Sequence, residues 1–183
     1  MILSFRQDLV YFRYGVKQIL LHSMTTAAHI AQHFREFYKG RNWTWVWFEE
    51  VVEDITWREA TLKIGSFNTI AVLVYHMHYY VRLQSHVLKG GSKDGYDMDP
   101  FNAPTIQSAF EWKALLDTVY AEGEAFANLV ENLSDEQLEE IFLEKRYGTI
   151  YRNLHGNIEH MHYHLGQIVL LKKVIRDGIA FVA

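Results

Sequence analysis

His160 and His164 stand four residues apart inside a long helical pattern, so both imidazoles fall on one helix face while His162 points elsewhere. Two neutral imidazoles on adjacent turns are half of a transition-metal site, since imidazole suits zinc, nickel, copper and iron. The chain has no cysteine, so the remaining ligands of such a site must be nitrogen or oxygen. The buried stripe of this helix, projected at about 100° per residue, is Leu154, Ile158, Met161, Leu165 and Ile168. A second line runs along its flank: Asn153, Asn157, His160, His164 and Gln167. Polar groups at a core border are costly unless they are hydrogen-bonded or ligated. The line is therefore half a metal site, an exposed flank, or a satisfied polar seam that sets helix register. The seam reading expects Asn157 and the histidines to bond one another or water.

A third ligand has to come from another helix. His76 and His78 lie about 100° on either side of Met77, and periodicity does not choose between them. The His76 flank carries Leu73, Tyr80, Leu83 and Val87, which makes it the more buried of the two on paper. His86 and His155 fall on faces expected to be solvated. His29 and His33 form a rival pair at the same four-residue spacing, but they lack the asparagine seam. Glu159 and His162 match a Glu-x-x-His spacing by chance, because Glu159 projects away from the core and no second copy exists. Asp94, Asp97 and Asp99 lack the glycine and glutamate of a calcium loop and read as caps and solvated charges. No zinc-peptidase motif, nucleophile elbow, phosphate loop or dinucleotide fingerprint occurs.

The elements that must position these residues are helical. The only prolines, Pro100 and Pro104, sit in a non-helical stretch from Gly90 to Pro104. Ala27, Ile30, Phe34 and Phe37 mark a first helix ending near Gly40, followed by a shorter segment through Trp47, Val51 and Val52. The aromatic run Trp43, Trp45, Trp47 and Phe48 is expected to fill core. Thr56 and Glu59 have the spacing of a capping box. A second long helix is expected from Ser66 to Lys89, with Ile70, Val74, Met77, Val81 and Leu88 as its stripe and Gln84 as the one polar place in register. A third runs from about Thr105 to Leu133 with Trp112, Leu116, Val119, Phe126, Val130 and Leu133 on one face and Gly123 in register. Ser134 to Gln137 caps a short helix through Phe142, and the last long helix spans Thr149 to Arg176. Lys172, Lys173 and Arg176 near its end, with Gly178 beyond, suit a helix C-terminus. Four long amphipathic helices read as an all-α four-helix bundle.

The 183 residues, 49% hydrophobic and 15% aromatic, argue for one folded domain rather than a disordered chain. A formal charge of −4 with no run of Lys or Arg longer than a pair leaves no footprint for nucleic acid. No stretch of uncharged apolar residues is long enough to cross a membrane, and the lack of cysteine fits a reducing, cytoplasmic setting. Residues 1–24 are expected to form a helical N-terminal extension, since Arg6, Asp8, Arg13 and Lys17 interrupt its apolar patches. Residues 25–183 form the bundle domain.

Four segments in order resemble the DinB/YfiT-like superfamily of small metal-binding bundles. They are Phe37-Tyr38-Lys39-Gly40-Arg41-Asn42-Trp43, Asp54-Ile55-Thr56-Trp57-Arg58-Glu59-Ala60, Asn68-Thr69-Ile70-Ala71 leading to His76, and His160-Met161-His162-Tyr163-His164-Leu165-Gly166-Gln167-Ile168. The resemblance covers about Thr25 to Gly178 and implies an up-down-down-up bundle, often a homodimer. It implies His76, His160 and His164 as ligands of a divalent metal, nickel or zinc foremost, with iron or manganese as alternatives. It thereby breaks the tie with His78 and demotes His29 and His33. The activities it suggests are transfer of a small thiol or hydrolysis of a small molecule. The alternative is a non-catalytic metal-binding or dimeric interaction bundle. No general base is identifiable.

Overall fold

The computed structural model describes residues 24–92 and 99–178. The expected N-terminal helix, together with Asp94 and Asp97, lies outside the described residues. The described part is all-helical and contains no strand. Its elements are α1 (Thr26–Lys39), α2 (Phe48–Val52), α3 (Trp57–Thr61), α4 (Ile70–Leu88), α5 (Ala109–Glu131), α6 (Asp135–Glu139), a single 3₁₀ turn (Lys145–Tyr147) and α7 (Ile150–Asp177).

Side-chain caps decide where most of these helices begin. The hydroxyls of Thr25, Thr69, Ser108 and Thr149 each accept a backbone N–H in the first turn of the helix that follows. α4 therefore starts at Ile70 and α5 at Ala109, each four residues later than the apolar patterns suggest. Thr56–Glu59 and Ser134–Gln137 are both complete capping boxes. α6 stops at Glu139 instead of reaching Phe142, because Glu140 turns extended and Ile141 bridges antiparallel to Thr149. α7 ends as expected at Gly178, whose φ of 62° and ψ of 30° is the left-handed conformation that a glycine adopts without Cβ strain.

The long helices bury the stripes read from the sequence. Ala27, Ile30, Phe34 and Phe37 of α1, Ile70, Val74, Met77 and Val81 of α4, and Leu154, Ile158, Met161, Leu165 and Ile168 of α7 are all core. α5 shifts slightly. Leu115 and Ala127 are buried, while Leu116 and Leu133 lie only at the core edge. Gly123 has a clear reason, since a Cβ there would stand 2.5 Å from the Tyr38 ring, so its absence lets α1 approach α5. α1 packs against α5 and α7, and α4 packs against the same two helices from the other side.

Polar contacts give the register. Arg35 reaches Glu124 and Glu131, Lys172 donates to the Val51 carbonyl, and Arg176 ties the end of α7 to Asp54 and Glu59. One expectation fails outright. Of the aromatic run only Phe48 is core, whereas Trp43 and Trp45 are 92% and 73% exposed. The turn at Asn42–Val46, held by the Asn42 side chain on the Val46 carbonyl and by a left-handed Trp45, turns those two rings outward.

Candidate metal centre

His76 sits in the middle of α4 and His160 and His164 on consecutive turns of α7, and the contact between these two helices brings all three together. One ring nitrogen from each lies within 4.8 Å of the others. The Nε2 atom of His160 is 3.1 Å from that of His76 and 3.0 Å from that of His164. Three nitrogens bound to one tetrahedral zinc at ordinary bond lengths would stand about 3.3 Å apart. His76 and His164 are buried and His160 half-buried.

The outer nitrogens decide what the inner ones offer. His76 Nδ1 lies 3.2 Å from the Pro100 carbonyl, which only accepts, so the proton is on Nδ1 and Nε2 carries a lone pair. His164 Nδ1 likewise donates to Gln167 Oε1 at 2.7 Å. Both rings are thus oriented and held in the ligand tautomer by outer partners, as metal-binding histidines commonly are. Burial, then repulsion from His164, lowers the pKa of His76. Burial, then His164 and His76, pushes His160 down to about 4. His76 and His160 are therefore neutral at pH 7, as ligation requires. The buried Nδ1 of His160 has no partner among the described residues. Phe101 stacks on His76 with ring centres 4.0 Å apart, and Tyr80 stands edge-on to both His76 and His160.

The polar seam divides in two. Its lower half is a hydrogen-bonded register device: Asn157 Nδ2 donates to Gln84 Oε1, and Gln84 Nε2 donates to the Asn153 carbonyl. Asn153 itself caps the carbonyls of Tyr147 and Thr149. Only the upper half converges on a common point. Gln84, which looked like a flaw in the α4 stripe, is the buried partner of Asn157.

Residues 48–180 match the family described as a protein of unknown function, DUF1572. The chain belongs to that family. Neither a curated protein nor a solved structure matches it. The DUF1572 match begins at α2 and takes in α4 and α7, so it includes all three histidines and leaves out α1 with His29 and His33.

The other histidines go elsewhere. His29 is exposed, and the His33 ring lies 6.2 Å from that of His162 across the α1–α7 contact; neither joins the group. His162 packs against Phe37. His78 is as buried as His76, contrary to the expectation that its flank is the more open, and it donates Nε2–H to Glu122. His86 and His155, expected to be solvated, are half-buried, the former bonded to the Ser92 carbonyl and the latter against Tyr151. Pro100 and Phe101 gave no sequence signal, since an irregular loop has no periodicity to project. Tyr80, placed by periodicity on the His76 flank though with no role assigned, stands one turn beyond His76 on the same face.

Proposed function

We propose that His76, His160 and His164 hold a divalent transition metal in a small-molecule enzyme, a thiol S-transferase or a hydrolase. The observation that carries this reading is the pair of lone pairs fixed toward one point by the Pro100 carbonyl and the Gln167 amide oxygen. A seam that only set helix register would have no need to orient both rings from behind. A metal held by three imidazoles has open positions and, when bound, lowers the pKa of a thiol or water that binds it. Imidazole ligands suit zinc, nickel and iron; the DinB/YfiT-like resemblance puts nickel or zinc first, with iron or manganese as alternatives.

The chain's own residues supply the remainder. Burial keeps His76 and His160 deprotonated, Phe101 and Tyr80 wall the group with aromatic rings, and an adjoining cleft lined by His160 gives access. An up-down-down-up bundle of the DinB/YfiT-like kind agrees with the contacts. Gln84 with Asn153 and His76 with His160 pair α4 and α7 in opposite directions. Arg35 with Glu131 and Tyr38 with Tyr120 do the same for α1 and α5. No described helix is long and apolar enough to cross a membrane.

Elemental analysis of protein from metal-replete culture tests the site, and metal-dependent conjugation of a thiol to an electrophile tests the reaction. Metal-free protein would sink the first claim; metal without turnover or an exchangeable water would leave the non-catalytic reading. That second reading draws on one observation, the exposed apolar Phe67, Tyr163 and Leu170, which would suit a homodimer detectable by sedimentation.

A further inference from the structure

The cleft beside the histidines has a direction built into it. Arg152, Gly156 and His160 follow at steps of four on α7 and share a face. All three line a cavity of about 750 Å³ together with Tyr80, Arg146 and Glu159. His160 stands at one end, and Arg152 lies about 12 Å away along the axis at 1.5 Å per residue. Gly156 is the floor between them. A Cβ there would meet nothing within 4 Å, so no close neighbour requires a glycine, although glycine inside a helix is destabilising relative to alanine. What the missing side chain does is leave the path from Arg152 to His160 clear.

The two arginines differ. Arg146 is bonded to Glu144, whereas Arg152 donates Nη1–H to the Tyr147 carbonyl at 3.2 Å and pairs with no carboxylate among the described residues. One guanidinium with a neutral partner matches one carboxylate in fork geometry. Glu159, exposed at the His160 end, disfavours a second acid there.

We propose, resting on the metal-site reading, that the cleft binds an elongated small molecule with a metal-binding thiol head at the histidines and a carboxylate tail on Arg152. Protein loaded with cobalt(II) is titrated with 6-mercaptohexanoate and with 6-mercaptohexanol, thiols of equal reach, following thiolate-to-metal absorption. The acid binds about tenfold more tightly than the alcohol, the gain of one charge-assisted contact. Arg152→Gln brings the two within about twofold and leaves alcohol affinity and metal content unchanged. The shorter 3-mercaptopropionate shows no dependence on Arg152. Gly156→Leu keeps metal and fold and weakens both long thiols. Equal binding of acid and alcohol to the unaltered protein, or an acid preference that survives Arg152→Gln, overturns the proposal. If elemental analysis finds no metal taken up, the metal-site reading fails separately. The carboxylate site is then judged by calorimetry with adipate on metal-free protein: binding lost in Arg152→Gln supports it, and no binding overturns it.

Discussion

His76 and His78 lie two residues apart on α4, both buried, and they face different chemistry. His76 turns toward α7, where it meets two more imidazoles in front and a carbonyl behind. His78 turns toward α5, where Glu122 accepts its Nε2–H and Arg82 joins the same carboxylate. Burial lowers the pKa of His78 against the pull of Glu122, so the ring donates as the neutral tautomer, and its Nδ1 has no partner among the described residues. Glu122 is held at about 2, first by that hydrogen bond and then by Arg82. One flank of α4 thus brings neutral imidazoles together, and the other meets a carboxylate that Arg82 also pairs. Burial does not distinguish these two histidines. The charge of what lies opposite does.

The largest expected effect sharpens this contrast. His164→Ala should take bound metal from roughly one per chain to under about a tenth, while His78→Ala leaves it unchanged; elemental analysis of both, with circular dichroism to verify folding, checks the pair. Metal loss in His78→Ala with an intact fold would break the comparison.

The reciprocal test is on stability. Glu122→Ala leaves the buried His78 donor unpaired and should cost roughly 1–3 kcal/mol in urea unfolding with metal content unaffected.

The two flanks also answer to pH in different windows. Both groups have depressed folded pKa values, so in each case the unfolded chain takes up the proton first and stability falls as pH falls. For His160 the window runs from 6.5 to about 4, and for Glu122 from 4.5 to about 2. Denaturation of metal-free protein should show a decline between pH 6.5 and 4 that shrinks in His160→Ala, and a later one below pH 4.5 that shrinks in Glu122→Gln. The smallest effect belongs to the lower seam. Gln84→Ala removes the acceptor of Asn157 and the donor to the Asn153 carbonyl and should cost roughly 1–2 kcal/mol, without loss of metal.

Much of this was readable along the chain. Periodicity found the stripes of all four long helices, because burial on a helix repeats at a fixed angle. The four-residue spacing found His160 and His164, since both ride on one rigid element. It served equally well for His29 and His33, which do not meet the others, and so spacing alone proposed two sites where one group forms among the described residues. Helix starts were misplaced where a capping hydroxyl, as in Thr69 and Ser108, overrode the apolar pattern. The outward turn of Trp43 and Trp45 was invisible because it depends on one loop's hydrogen bonds.

By itself the sequence determined the helices, their buried faces and the fact that two imidazoles share one face of α7, all consequences of local geometry within a single element. The choice of His76 had to be borrowed from a family resemblance until α4 was placed against α7. Tertiary structure decided that His76 faces the pair while His78 faces a carboxylate. It also decided that the Pro100 carbonyl and Gln167 hold His76 and His164 in the Nδ1-protonated tautomer and that Gln84 belongs to Asn157. Those are relations between elements distant in sequence, and no periodicity within one helix encodes the rotation of another about its own axis.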